Sequence, residues 1–266
     1  MQWCWREAQG GGPPLWRVPA LEATGAGAAF SSRLGGCSAA PYARCNLGLS
    51  VGDEPACVAE NRRRFAVAAG FPPEATVRAD QVHGSTALAV FAPGEAGAAD
   101  GLCTDQPGLV LTIAVADCAV VYLLDPVVAA IGLCHAGWRG TVADVVGSTV
   151  ARMARAFGTR PRDLVAAVSP AIGPCCYEVA APVTAAMAGA APWGASMLRP
   201  TRPGHALLDL WGANRRRLLD AGVPATAIHV AGVCTACHGE RLYSHRRDRG
   251  RTGRMDAALW WPGAAP

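Results

Sequence analysis

The chain reads as an α/β protein, one domain built on a sizeable mixed sheet, and three observations carry that reading. Short β-branched apolar runs near 76–82, 86–91, 109–115, 119–124 and 127–134 follow one another with hardly any helical pattern between them. Such a succession favours antiparallel or mixed sheet over repeated strand–helix–strand units. Helical patterns flank that block at 55–70 and 142–157. Across 266 residues no linker, internal repeat or low-complexity segment stands out beyond a general alanine richness, so one domain is the economical division.

Taken in order, residues 1–26 are rich in Gly, Pro and Trp and show no period, and a poorly ordered lead-in is expected there. AAFSSRLGG (28–36) is a short strand running into the turn-rich CNLGLSVGD. Asp53 and Pro55 suit the N-cap and first turn of a helix that Gly70 closes. The apolar runs 111–126 and 127–138 join at Asp125-Pro126, which predicts an antiparallel hairpin with its loop at 125–128. That register sets Cys118 opposite His135, with Cβ atoms roughly 5 Å apart, and a one-residue slip would turn one of them to the other face.

Val142, Val145, Val146, Val150, Met153 and Phe157 recur at helical spacing up to Gly158 and Pro161. The start of that helix falls just behind His135, where amides and the helix dipole would favour an anion. Further on, 164–173 reads as strand, 176–189 and 210–222 as helices, 226–234 as strand and 253–261 as a closing strand.

Composition narrows the chemistry. All 24 basic residues are arginine, which excludes Schiff-base and pyridoxal chemistry and a lysine-bearing phosphate loop. Anions must be held by guanidinium forks, backbone amides or a metal. A net charge of +4 is too dilute to argue for nucleic acid. The longest apolar stretch, 109–124, is interrupted by Asp117 and too short to cross a bilayer. Eleven cysteines and no charged-then-apolar start point to a soluble protein of the reducing cytoplasm, contacting neither nucleic acid nor membrane.

Three polar islands interrupt the apolar sequence: QVHG at 81–84, ADC at 116–118 and CHAGWRG at 134–140. Their His83, Cys118 and His135 form a two-imidazole, one-thiolate set suited to Zn2+, with Cu2+ as the alternative. Three protein ligands leave a fourth position open, the mark of a catalytic zinc. Gly84, Asp117 and Gly137 beside them allow sharp turns and close backbone approach. Each of the three taken alone could equally be a buried structural residue.

Other constellations are weaker. CTACH (234–238) formally matches a c-type haem attachment signature, but nothing else in the chain fits haem, and a single CxxC is a weak zinc or redox signal. GPCCYEV places Cys175 and Cys176 at a turn; adjacent side chains are expected to point apart, which favours packing over chelation. Arginines 241, 246, 247, 249, 251 and 254 read as a solvated face from which one or two reach a phosphate.

FSSRLGG, CNLGLSVGD, ENRRR, DQVHG, ADGLCTD, ADC, HAGWRG, IGPCCYEV, CTAC and SHRRD with TGRM occur in an order that resembles the family long labelled multicopper polyphenol oxidase or laccase-domain proteins. That family is now assigned as purine nucleoside phosphorylase with adenosine deaminase and methylthioadenosine phosphorylase activity. The resemblance covers about 28–261 and implies a single catalytic domain over 27–262, folded as a layered α-β-β-α sandwich with mixed, largely antiparallel sheets. It also implies a metal on His83, Cys118 and His135, the same set reached from ligand chemistry. Two departures stand out: Cys103 where an aliphatic residue is usual, and RLYSHRRD with His245 in place of a tyrosine.

The implied activity is metal-dependent phosphorolysis of adenosine, inosine, guanosine and S-methyl-5'-thioadenosine, with deamination of adenosine by an activated water at purine C6. Its partners would be purine nucleosides and phosphate, with the oligomeric state left open between monomer and dimer. Arg33, Arg139 and Arg246 are the candidates to hold phosphate. Two rival readings remain: a copper-dependent polyphenol oxidase, and a hydrolase with Cys118 as nucleophile and His135 as its base.

Overall fold

The computed structural model describes residues 3–7 and 12–263. Two large sheets pack face to face with helices on both outer sides, the layered sandwich expected. One sheet orders its strands Cys4–Arg6, Leu15–Arg17, Gly27–Ser31, Met255–Trp260, Val110–Val115, Thr76–Asp80 and Gly94–Ala98. The other runs Ile228–Val230, Val165–Val168, Ala119–Asp125, Ala130–Ala136, Gly101–Thr104 and Ala87–Ala89. A small third sheet joins Glu178–Ala180, His205–Leu208 and Leu198–Pro200. Pairing is antiparallel through the middle of both large sheets, and the parallel pairs lie towards their edges.

Strand alternation divides the apolar side chains between layers. Val120, Tyr122, Leu124, Ile131 and Leu133 face the opposite sheet, meeting Phe30, Ile113, Met255 and Leu259. Val121, Leu123 and Cys134 turn outward onto the helix Val145–Phe157, through Val146, Val150 and Met153, and onto Leu210 and Leu218 of the helix Leu210–Asp220. On the far side Ala29, Val110, Ala258 and Trp260 receive Phe65, Ala66 and Ala69 of the helix Pro55–Ala69. Tyr122 ties the two sheets together, its hydroxyl donating to the Ala29 carbonyl at 2.8 Å. None of the described helices is long and apolar enough to cross a membrane.

Several local expectations need correction. The described part of 1–26 is ordered into the sheet: Trp5 pairs with Trp16, and Trp3, 8% exposed, packs edge-on against Tyr122 at 5.6 Å. A three-residue edge strand is too short to display a period, so aromatic burial was the only available signal. The helix at 55 is N-capped by Glu54, while Asp53 instead accepts from Asn46.

The hairpin forms, but its turn pairs Asp125 with Ala130, and His135 therefore lies opposite Val120. Relative to the expected register this is a slip of two, which preserves the face; Cys118 stands just past the paired strand on the same side as His135. The helix expected from 142 is two helices, Trp138–Val142 and Val145–Phe157, broken at Asp144, which takes a left-handed conformation (φ 60°) and caps the second by accepting from the Gly147 amide. Likewise 176–189 begins as the strand Glu178–Ala180 before the helix Ala181–Gly189.

Candidate active site

His83, Cys118 and His135 converge, their ligand atoms all lying within 4.8 Å of one another. Each reaches the site from a different local device. His135 is carried on the strand Ala130–Ala136 and is 3% exposed. Cys118 follows Asp117, whose positive φ (84°) bends the chain immediately before the strand Ala119–Asp125. His83 belongs to the opposite sheet, in the loop after Thr76–Asp80. There the Gln81 side-chain amide pairs with Ala114 in both directions, donating to its carbonyl at 2.9 Å and accepting from its N–H at 3.1 Å. In effect Gln81 extends the ladder by a side chain and delivers His83, itself in a left-handed conformation (φ 59°), to the gap between the sheets.

What joins the two halves is Asp100, a residue that motif reading passed over although it stands in ADGLCTD. Its carboxylate is buried and accepts four hydrogen bonds: from His135 Nδ1 at 2.8 Å and from the backbone amides of Val82, His83 and Gly84 at 3.2, 3.0 and 2.6 Å. The loop carrying one imidazole is thereby fastened to the side chain of the other. Burial pushes the Asp100 carboxyl up, but His135 and the amide donors outweigh it and hold it below the usual carboxylate range.

With Nδ1 engaged by a carboxylate, His135 turns Nε2 toward Cys118. Gly137 forms the wall beside both: a Cβ there would stand 2.8 Å from Cys118 Sγ and 3.8 Å from His135 Nε2. Burial pushes the Cys118 thiol up, yet the neighbouring imidazoles of His135 and His83 bring it down to about 6. The same pairing, with Asp100 behind it, overrides burial to lift His135 to about 9. Two imidazoles and an easily ionised thiol, backed by a carboxylate–histidine contact, fit a divalent metal ion such as zinc or copper.

The trio lines a cavity of about 850 Å3 shared with Arg62, Arg78, Arg139, Arg246 and Arg254, with Tyr177 on its wall. Two of the three candidate arginines, Arg139 and Arg246, thus line the same cavity as the trio. Arg139 lies over the Trp138 ring at 4.4 Å and, among the described residues, has no carboxylate partner. Arg246 lies over Tyr177 at 5.2 Å, donates to the Glu178 carbonyl and offers its backbone amide to Asp117 at 2.7 Å. Arg33 is not brought to the cavity: its guanidinium is taken up by the carbonyls of Ala43 and Gly239 and by the face of Tyr243. In sequence Arg254 reads only as one of the arginines of a solvated face and Arg62 only within ENRRR, while Arg78, just before QVHG, carries no motif of its own; the fold gathers all three at the cavity. His245 also lines the cavity.

Cys175 and Cys176 do not point apart. They share a turn in which the amides of Cys176 and Tyr177 both donate to the Gly173 carbonyl, and their thiols gather with those of Cys234 and Cys237.

A family model described as multi-copper polyphenol oxidoreductase laccase matches residues 27–262. Purine nucleoside phosphorylase YlmD of Geobacillus stearothermophilus is 40% identical, covering 96% of this chain and 95% of that protein. A purine nucleoside phosphorylase of Deinococcus radiodurans is 43% identical, covering 94% of each. The crystal structure of YlmD from G. stearothermophilus superposes with a TM-score of 0.90 at 38% identity, over 97% of this chain and 98% of that one. These matches span the sheets that supply all three metal-type ligands, and the chain belongs to the multi-copper polyphenol oxidoreductase laccase family.

Proposed function

We propose that this protein is a metal-dependent purine nucleoside phosphorylase acting on adenosine, inosine, guanosine and S-methyl-5'-thioadenosine, with adenosine deamination at the same site. The observation that carries the reading is that the His83, Cys118 and His135 donor atoms and five arginine side chains open onto one cavity. Its volume falls within the range of small-molecule sites. Relatives of 40% and 43% identity bear the phosphorylase name. Bound zinc would supply a Lewis acid at the mouth of the trio.

The rest of the reaction falls to the chain. Phosphate is an anion, and without lysine the guanidinium groups of Arg139 and Arg246 are suited to hold it by charge-assisted hydrogen bonds. One phosphate oxygen bonds to ribose C1′ while the C1′–N9 bond breaks. The electron pair leaves with the purine, which takes up the proton given up by hydrogen phosphate, and ribose 1-phosphate and free base are the products. Burial raises the Tyr177 phenol well above its ordinary value, so it stays a neutral donor beside the base. In deamination water adds at C6 and ammonia departs.

The donor sets speak against polyphenol oxidation. Among the described residues only one group joins two histidines, whereas a multinuclear copper oxidase needs many more imidazoles. One observation favours the hydrolase reading, a thiol held at about 6 beside an imidazole. Ten cysteines, from Cys37 to Cys237, are free thiols, which accords with a reducing compartment such as the cytoplasm.

The deciding experiment incubates the purified protein with each nucleoside, with and without phosphate, measuring free base, pentose 1-phosphate and ammonia. Base and pentose phosphate that form only when phosphate is added support the proposal. Base release without phosphate overturns it, and undiminished turnover after metal removal would favour the Cys118 hydrolase.

A further inference from the structure

A second group of metal-type donors lies apart from the trio. Cys175 and Cys176 come from the turn after the strand Val165–Val168, and Cys234 and Cys237 from the turn after Ile228–Val230, these two strands being parallel neighbours at the edge of their sheet. A parallel bridge between Ala171 and Cys234 continues the pairing beyond the strands, so both turns leave the sheet side by side. The four sulfurs all lie within 4.8 Å of one another, with Cys175 and Cys237 at 3.6 Å and Cys176 and Cys237 at 3.4 Å.

Three candidate uses can be separated by distance. A disulfide needs about 2.05 Å between two sulfurs, and all four cysteines are free. In an iron–sulfur cluster each thiolate takes its own iron or shares one of several, which spreads a set of four more widely than this. A tetrahedral ion with metal–sulfur bonds of about 2.3 Å sets its ligands about 3.8 Å apart, close to the spacings found here. The Gly173 amide donates to Cys234 Sγ at 3.2 Å, an arrangement that stabilises a thiolate.

We propose that Cys175, Cys176, Cys234 and Cys237 form a tetrathiolate site for one structural zinc ion, separate from the His83, Cys118 and His135 set. All four positions would be filled by protein, which leaves no room for substrate and marks a structural ion. Its role follows from Thr235, which lies between two of the ligands. The Thr235 hydroxyl donates to Asp117 Oδ1 at 2.5 Å, and Asp117 Oδ2 accepts the Arg246 amide. Arg247 in turn donates to the Thr235 carbonyl at 3.0 Å. By fixing the Cys234–Cys237 turn, the ion holds the bend before Cys118 and the backbone of Arg246.

The test measures bound zinc per chain in the full-length protein, prepared with reductant and exchanged against a weak chelator. Wild type should retain about two equivalents, and Cys118→Ser about one. A Cys118→Ser/Cys237→Ser variant should retain none. Cobalt reconstitution of Cys118→Ser should give the intense visible bands of a tetrahedral tetrathiolate, a readout that does not require the double variant to fold. The proposal is overturned if Cys118→Ser binds neither zinc nor cobalt, or if mass analysis after alkylation finds two of the four cysteines joined in a disulfide. Either result would leave the phosphorolysis assay unaffected.

Discussion

Replacing Asp100 by Asn tests whether the site is assembled by its carboxylate or merely borders it. The two side chains have nearly the same shape, so the perturbation is one of donors and acceptors. Oδ1 accepts from His135 Nδ1 and the His83 amide; Oδ2 accepts from the Val82 and Gly84 amides. Asn offers a single acceptor oxygen. If its NH2 takes the Oδ2 position, it faces two N–H donors at what were 2.6 and 3.2 Å, and a buried donor conflict costs about 1–3 kcal/mol. If the amide flips, the NH2 faces His135 Nδ1, which must then accept, placing the imidazole proton on the nitrogen that would bind metal. Loss of such a supporting partner lowers metal affinity about 10–100-fold, or about 1.4–2.7 kcal/mol. Zinc affinity measured by chelator competition, with thermal unfolding followed in the metal-free and zinc-loaded states, reads both effects. An Asn variant whose zinc affinity and stability lie within twofold and a few tenths of a kcal/mol of wild type would refute this account of the site.

Gly137→Ala should act on the metal and spare the fold: its backbone (φ −66°, ψ 174°) suits alanine, but the new methyl would stand 2.8 Å from Cys118 Sγ, so zinc affinity should drop sharply while the metal-free melting temperature barely moves. Arg139→Gln should raise the phosphate KM about 10-fold or more by removing a charged hydrogen bond worth about 1.5–3 kcal/mol, whereas Arg33→Gln should leave that KM unchanged and lower stability. In the metal-free protein Cys118 at about 6 and His135 at about 9 carry a thiolate and an imidazolium between those pH values, so zinc must displace the His135 proton. Apparent zinc affinity should accordingly rise by about tenfold per pH unit from 6 to 9 and flatten above, as isothermal titration in two buffers would show through the released proton. Tyr122→Phe should cost about 1 kcal/mol in chemical denaturation, the net value of its buried bond to Ala29.

Legibility in the sequence followed the range of the interaction. The hairpin was readable because 111–126 and 127–138 are adjacent and patterned, and an error of two in its turn was harmless since strand faces repeat every second residue. Cys118 and His135 could thus be set on one face from sequence alone, though not as direct partners. His83 could not: it sits in the other sheet, and what brings it across is one carboxylate in a segment with no alternation of its own, because Gly101–Thr104 is buried on both faces. The cysteines 175, 176, 234 and 237 pose the same difficulty in a sharper form. Neither CC nor CxxC is informative by itself, and their meeting depends on a parallel neighbour relation between Val165–Val168 and Ile228–Val230, whose partners are more than sixty residues apart. Arg33 is the opposite case: residue type marks it as an anion binder, but the carbonyl oxygens of Ala43 and Gly239 engage three of its five guanidinium N–H donors away from the cavity. Residue type named the groups able to bind a metal or an anion, and the neighbours each received from distant strands decided which of them are free to do so.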